Sequence, residues 1–211
     1  MEGSAIMAFI SDEDRQRIAD AIEKAERSTS GEIVTVLTAE SATYLHVPFL
    51  WASLVALIVP WPLIYFTWWP VQWIYLLQLG VFLAVLMLTL PRQIRYALVP
   101  RSIKRDRAHR RAVEQFLVQN LHSTAGRTGV LIYVSVAERF AEIIADTGID
   151  KAVPKGTWQS IVDELTSRLT EGRSGDGFVE AVERVGALLA EHVPPGSRDP
   201  NELPNHLIII D

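Results

Sequence analysis

The sharpest candidate for chemistry in this sequence is the string Asp146-Thr147-Gly148-Ile149-Asp150. Two carboxylates flank a glycine at the end of a predicted strand, where a turn can direct both of them, with backbone carbonyl groups, onto one hard cation. Glu142 lies on the strand that leads in, and it either supplies a third oxygen ligand or faces water. The same residue types commonly cap a turn without binding any ligand. The string therefore predicts a metal site at Asp146 and Asp150, with turn capping as the alternative.

Other catalytic chemistries find less support. Asp146-Thr147-Gly148 also resembles one half of an aspartic protease site, but that chemistry needs two such aspartates, and helices are predicted where the enclosing strands should follow. The chain has no Cys, which excludes thiol catalysis, and its five His form no ligand pair. The segment 172–177 is rich in Gly but lacks the Gly-Lys-Ser/Thr ending of a phosphate loop, which favours a linker between two helices.

An uncharged segment separates two regions of ordinary composition. The 211-residue chain has a net charge of −5 and a mean hydropathy of +0.17, yet Ser41 to Pro91 contains no Asp, Glu, Lys or Arg. Five of the six Trp also lie there. The middle of the chain is therefore composed like lipid-facing protein, whereas the flanking regions are composed like one modest soluble domain.

The uncharged segment is long enough for two membrane crossings, since a bilayer core needs about 20 helical residues per crossing. We expect a first span near Val47–Thr67 and a second near Ile74–Leu90, joined by a Trp-rich turn around Pro70. Pro60 and Pro62 are expected to kink the first span. The alternative is a hairpin buried in a soluble core, but that would need a larger domain than the rest of the chain can form.

Basic residues directly after the second predicted span indicate the orientation. Eight Arg and Lys side chains and a single acid, Asp106, lie between Arg92 and Arg111. By the positive-inside tendency, this predicts a two-pass protein of the inner (plasma) membrane with both termini in the cytoplasm. Cations beside anionic lipid headgroups explain the basic run, and with a net charge of −5 no nucleic acid is expected as a partner.

The flanking regions read as alternating helices and strands, which must position the candidate chemistry. Ser11 is expected to cap a helix that stops near Ser28, Thr157 to cap a second helix and Asp176 a third. The other predicted elements are the strands 33–38, 130–136 and 140–145, a basic helix over 103–122, and a last extended segment over 206–210.

This order predicts an α/β fold: a three-layer α/β/α sandwich with a small mixed sheet, interrupted by an inserted transmembrane helical hairpin. The strand 33–38 is expected to pair with the strands after Gly129, so the two flanking regions share one core. We assign residues 1–40 and 92–193 to the two parts of this domain, 41–91 to the hairpin, and 194–211 to a polar linker and a C-terminal extended segment.

The order of several short motifs resembles the TPM domain family. These are Ser30-Gly31-Glu32-Ile33-Val34, Gly126-x-x-Gly129 before an apolar strand, Ala137-Glu138-Arg139, Asp146-x-Gly148 after the next strand, and Gly177-Phe178 opening a helix. The similarity spans nearly all of the chain outside the uncharged segment. It implies an α/β/α sandwich, and the family includes a thylakoid protein linked to photosystem II repair and has been associated with weak acid phosphatase activity and calcium binding.

Two departures from the family pattern bear on function. TPM domains are commonly outside the cytoplasm, often with one anchor after them, whereas the arginines here favour the cytoplasm. The pattern associated with the end of the third strand is Gly-x-Gly, whereas Asp146-Thr147-Gly148 adds a carboxylate and removes a glycine.

Two functions from different classes follow. The favoured one is a bacterial integral membrane protein that presents a cytoplasmic TPM-like domain as an interaction or assembly and quality-control module, with the lipid bilayer and another membrane protein as partners. The alternative is a phosphatase-like hydrolase assisted by Ca²⁺ or Mg²⁺ at Asp146 and Asp150, with Arg139 or Arg127 holding the phosphate.

Overall fold

Two compact units make up the chain. The computed structural model describes residues 9–124, 126–195, 203 and 205–210, so most of the predicted linker after Pro195 lies outside the described residues. The first unit comprises the chain up to Ser41 together with the chain from Arg105 onward, and the second unit is Ala42–Lys104.

The described strands all lie in the first unit, and the described elements of the second unit are helices. In chain order the elements are α1 (Asp12–Glu26), β1 (Ile33–Thr38), α2 (His46–Ile58), α3 (Pro60–Phe66), α4 (Val71–Thr89), α5 (Arg92–Ala97), α6 (Arg101–Val118), a 3₁₀ turn (Leu121–Ser123), β2 (Val130–Ser135), β3 (Phe140–Ala145), α7 (Thr147–Asp150), α8 (Thr157–Thr170), α9 (Ser174–His192) and β4 (Leu207–Ile210).

The sheet of the first unit is mixed and has the order β3-β2-β1-β4. Strand β1 runs parallel to both β2 and β4, and β3 pairs with β2 in the antiparallel sense. Every residue of β1 and β2 is buried, as a continuous apolar run in a sheet covered on both faces requires. The predicted α/β class, the small mixed sheet and the pairing of β1 with the strand after Gly129 are confirmed.

Helices cover both faces of this sheet. On one face, α1, α8 and α9 bury Ile22, Ile161 and Phe178 against it. On the other face, Phe116 of α6 packs against the side of the sheet that carries Leu131, with Ala112 and Leu121 in the same cluster. The first unit is therefore built in three layers.

Helix boundaries differ from the sequence prediction at two caps. The N-cap of α8 is Gly156, in the left-handed conformation at φ 90°, so Thr157 is the first helical residue and does not cap the helix. Helix α9 begins at Ser174, and Asp176 lies in its first turn, where Arg17 and Arg173 bind its carboxylate. Side-chain ion pairs replace the capping role that the sequence suggested for Asp176.

Among its described residues, the second unit contains two helical stretches that are long and apolar enough, by length and composition, to cross a membrane. They are His46–Phe66, which comprises α2 and α3, and Val71–Thr89, which is α4. The first stretch breaks between Ile58 and Pro60, because proline cannot donate the backbone hydrogen bond that would continue the helix. Helices α2 and α4 pack against each other.

Candidate functional site

Asp146 lies at the end of β3 and begins α7. Because β3 runs antiparallel to β2, this position is beside the start of β2, and the Asp146 N–H donates to the Gly129 carbonyl at 2.9 Å. The side chain is the N-cap of α7: its Oδ1 accepts from the Thr147 N–H at 2.6 Å and from the Thr147 hydroxyl at 3.2 Å. Asp146 thus takes the capping role that was the alternative to metal binding.

The second oxygen of this carboxylate is not accounted for by capping. Asp146 is only 7% exposed, and its Oδ2 is buried without a hydrogen-bond partner among the described residues. A buried carboxylate oxygen without a donor or a cation is costly, because it has lost its water.

Gly148, two residues later, meets the backbone of the preceding loop. A Cβ at Gly148 would lie 2.4 Å from the Arg127 carbonyl oxygen and 2.5 Å from that of Gly126, so only glycine fits. The Gly148 N–H donates to the Arg127 carbonyl at 3.0 Å. Backbone carbonyl oxygens of the preceding loop therefore lie close to Gly148, next to the Asp146 cap, and carboxylate and carbonyl oxygens are the ligand types that a hard cation takes.

Asp150 and Glu142 are engaged elsewhere. Asp150 is exposed at the last position of α7, and its Oδ1 accepts from the Trp158 indole N–H at 3.1 Å. Both Glu142 oxygens lie 2.9 Å from Nδ1 of His109. Within the described residues no group of three His, Asp or Glu side chains is arranged to hold a metal ion.

A second polar cluster, which sequence reasoning missed, lies at the opposite edge of the sheet, where β1 and β2 end. The Glu138 carboxylate is buried and accepts from the Ser41 N–H at 3.1 Å and from the Ser135 hydroxyl. The hydroxyls of Ser41 and Tyr133 are 2.9 Å apart. Burial raises the pKa of the Tyr133 hydroxyl to about 12. A Tyr and a Ser two apart at the end of a buried strand, followed by Glu, are the signal that could have revealed this cluster.

The turn from β2 to β3 borders an apolar cavity of about 360 Å³ in the first unit. Arg139 in this turn has the left-handed backbone conformation, at φ 51°. The lining residues are mostly apolar and come from the segment before α1, β2, the turn after β2, β3 and α8: Phe9, Val134, Ser135, Val136, Arg139, Phe140, Ala141, Thr166, Leu169 and Thr170. The cavity offers apolar walls and one guanidinium, which suits an apolar side chain with a nearby negative charge.

The Gly-rich segment 172–177 borders a second cavity, in which the charges are already paired. Arg17 binds Asp14 at 3.0 Å and Asp176 at 2.6 Å, and Arg173 binds Asp176 at 3.0 Å. Hydrogen bonds from Arg17 and Arg173 lower the pKa of Asp176. The Asp14 carboxylate occupies the space beside Gly175, where a Cβ would lie 2.0 Å from its Oδ1. This arrangement fixes α1 to the start of α9 and leaves no anion site of the phosphate-loop kind in the described segment.

Comparisons with known proteins relate the chain to a domain family and to one solved structure. Residues 89–188 match the family model of the TPM domain, which confirms the resemblance predicted from the sequence. No curated protein matches the chain significantly. The chain is similar to the solved NMR structure of the BA42 protein from the psychrophilic bacterium Bizionia argentinensis, at a TM-score of 0.60 and 22% identity over 96% of each chain. At this identity the likeness shows a shared fold.

Proposed function

Because this chain carries a TPM domain, we propose that it is an integral membrane protein whose TPM domain acts as an interaction or assembly and quality-control module for other membrane proteins. The observation that carries the proposal is the outward-facing apolar surface of the second unit. All but three of the exposed large apolar side chains in the described chain lie between Leu45 and Ile103.

The apolar helices of the second unit are mostly exposed. Only 22% of the apolar window in His46–Phe66 and 6% of that in Val71–Thr89 is buried, whereas a core helix of a soluble protein is mostly buried. In α2, the buried positions include the small residues Ala52 and Ala56, one helical turn apart. Small residues at such a spacing permit close helix packing in lipid, and the large side chains then face the acyl chains.

The charges at the two ends of the hairpin support a two-pass topology in the inner membrane, with both termini in the cytoplasm. The extended connection before α4, residues 67–70, is uncharged, whereas Arg92, Arg95, Arg101 and Lys104 follow α4 without an intervening acid. A fluorescent protein fused after Asp211 is expected to be bright, and alkaline phosphatase at the same point inactive. The reverse pattern would overturn the orientation.

The cavity beside Arg139 supports a partner for the first unit. An apolar cavity of about 360 Å³ with one guanidinium at its edge can accept an apolar side chain of a partner and a nearby carboxylate. The partner is proposed to be another membrane protein, since the hairpin would hold the domain at the membrane surface.

Photocrosslinking in native membranes tests this interaction. A photoreactive residue replaces Phe140, which lines the cavity, in the full-length chain, and the matched control carries it at Asp163, an exposed residue of α8 outside the cavity lining. We expect one discrete protein adduct from position 140 and none of that mass from position 163. Absence of a protein adduct at position 140, or the same adducts from both positions, would contradict the interaction.

The buried, unpartnered Oδ2 of Asp146 supports a second candidate function, a cation-assisted hydrolase of phosphate esters. A bound Ca²⁺ or Mg²⁺ would polarise a phosphoryl oxygen there. Asp146 would hold the cation, Asp150 would contribute if it released Trp158, and Arg127 would bind the phosphate. Arg139, the other arginine suggested by the sequence, precedes β3 and so lies about 20 Å from Asp146 at the opposite end of the strand, too far to bind the same phosphate.

The Asp146→Asn variant tests this candidate, because Asn caps a helix about as well as Asp but lacks the charge. In the detergent-solubilised full chain, Ca²⁺ is expected to raise the unfolding temperature of wild type and of the control Asp163→Asn, and to raise it less in Asp146→Asn and Asp150→Asn. The candidate fails if wild type shows no shift, or if wild type and the Asp146→Asn, Asp150→Asn double variant hydrolyse a generic phosphoester at equal rates.

A further inference from the structure

Strand β3 forms one edge of the sheet, and no strand lies beside its outer side in the described part of the chain. Every residue of β3 is half-buried, whereas every residue of β2 is buried. The strand has no Pro or Lys that would protect the edge from pairing, and its one charged side chain, Glu142, is bound to His109. An apolar edge of this kind is a template for a further strand.

The hydrogen-bond pattern between β2 and β3 shows which backbone groups face the open edge. In an antiparallel pair, opposite residues that exchange two hydrogen bonds alternate with opposite residues that exchange none. The Asp146 N–H donates to the Gly129 carbonyl, which fixes this alternation along the whole of β3. The residues whose N–H and carbonyl groups point away from β2 are therefore Ala141, Ile143 and Ala145.

The apolar cavity lies at the start of this edge. Ala141 lines it together with Arg139 and Phe140, and α8 contributes Thr166 and Leu169. In a strand added antiparallel to β3, the residue opposite Ala141 would exchange two hydrogen bonds with it, and the two side chains would lie on the same face of the sheet. An apolar side chain at that position would therefore enter the cavity.

Arg139 provides a positive charge at the same end of the edge. Its side chain is exposed and forms no ion pair or hydrogen bond with another described residue. Because the added strand runs antiparallel, the residue two positions after the one opposite Ala141 lies opposite Arg139. An Asp or Glu at that position would form a cross-strand ion pair with the guanidinium.

We propose that the edge of β3 binds an extended segment of a partner protein as an antiparallel strand, and that this segment has the pattern apolar-x-Asp/Glu. Its apolar side chain fills the cavity and its carboxylate binds Arg139. Two copies of β3 paired about Ile143 would bring their Glu142 carboxylates close together, which disfavours a second copy of the chain as the occupant. The inference rests on the proposed interaction function and deepens it, because it assigns the chemistry of the partner segment.

A designed peptide tests the strand pairing without any change in the protein. The probe is the fluorescein-labelled peptide Ser-Lys-Thr-Val-Thr-Val-Thr-Leu-Thr-Glu-Ser-Lys with an amidated C-terminus, in which Leu-Thr-Glu supplies the pattern. One version carries a backbone N-methyl group at the Leu, whose N–H would donate to the Ala141 carbonyl. The matched control carries it at the following Thr, whose N–H would point away from β3. Fluorescence anisotropy measures the binding of each version to the full-length protein in lipid nanodiscs.

We expect the N-methyl group at the Leu to weaken binding by about tenfold, and that at the following Thr to weaken it by less than about twofold. Equal effects of the two N-methyl groups would overturn the strand pairing. No detectable binding of the unmodified probe at about 1 mM would also overturn it.

The charge contact has its own pair of variants. Replacement of the peptide's Glu by Gln should weaken binding to wild type by about fivefold, and should not weaken binding to Arg139→Gln. Lys155→Gln is the matched control, because Lys155 is exposed and outside the cavity lining, and it should behave as wild type. A loss on the Glu to Gln change that persists in Arg139→Gln would overturn the assignment of the carboxylate to Arg139.

The photoadduct at position 140 separates failure of this inference from failure of the proposed interaction. If the strand pairing is wrong and the interaction holds, the discrete adduct persists while the two N-methylated probes bind equally. Absence of the adduct in native membranes would overturn the interaction function and, with it, the inference.

Discussion

The two units use the same apolar residue types in opposite ways. In the first unit, β1 and β2 are buried at every position, and the helices on both faces of the sheet supply the covering side chains. In the second unit, α2 and α4 contact each other through a few small or interior positions and turn Trp, Leu and Phe side chains outward. The mean hydropathy of +0.17 therefore describes neither unit. Apolar residues in the strands of the first unit stabilise a buried core, whereas many of those in the second unit lie exposed on its surface.

The largest expected effect comes from a comparison of the same substitution, Phe to Ala, in the two units. Phe178 is fully buried in the core between α9 and the sheet, whereas Phe66 is 86% exposed at the end of α3. Phe178→Ala should lower the stability of the first unit by about 3–5 kcal/mol, because it removes buried surface and leaves a cavity. Phe66→Ala should leave that stability unchanged. Chemical unfolding of the full chain in detergent, followed by the fluorescence of Trp158, measures both.

Trp158 reports the first unit only when the other five Trp, which lie in the second unit, are replaced by Phe, so the comparison uses that background. Equal losses from the two truncations would mean that Phe66 packs as a core residue, which would remove the contrast between the units.

A charge placed on each unit gives the next largest effect. Leu79 in α4 and Leu117 in α6 are similarly exposed, at 55% and 52%. Leu79→Arg should oppose membrane insertion by about 2.5–3.5 kcal/mol, since it places a cation near the middle of a span. Leu117→Arg should leave insertion unchanged. The measurement is the fraction of each protein that resists extraction of the membranes with alkaline carbonate, and equal fractions would show that α4 does not lie in lipid.

Most of the first unit could be predicted from the sequence because its signals are local and strong. The Ser11 capping box begins α1 as expected, and the apolar runs mark Ile33–Thr38 and Phe140–Ala145 at their observed bounds. The starts of α8 and α9 were less predictable. Thr157 and Asp176 have good capping side chains, but a left-handed Gly156 and the ion pairs of Asp176 determine the observed geometry.

The candidate site was only partly predictable for a related reason. Asp146 and Asp150 are four residues apart in the sequence, and this spacing alone does not reveal that Asp146 caps α7 or that Trp158 donates a hydrogen bond to Asp150. The cluster of Glu138, Ser41 and Tyr133 depends on contacts over more than ninety positions, which no local pattern contains. Tertiary packing decides both arrangements.

The smallest predicted effect concerns Tyr133, a titratable residue that the first unit buries away from water. Burial raises the pKa of Tyr133 to about 12, from 10.0 in the unfolded chain. The folded state therefore keeps the proton longer, so the stability from the neutral hydroxyl is fully present below about pH 10 and is lost as the pH rises through about 12. Tyr133→Phe should lower the free energy of unfolding by about 1 kcal/mol at pH 7, because the contact with Ser41 is lost. It should also remove on the order of 2 kcal/mol of the stability loss that wild type shows at alkaline pH.

Unfolding midpoints between pH 7 and 12 test this, with Val134→Ala as the control, because it lowers stability without removing a titratable group and should shift the whole profile in parallel. An alkaline slope that is the same in Tyr133→Phe and wild type would show that the Tyr133 hydroxyl is open to water when the sheet is folded.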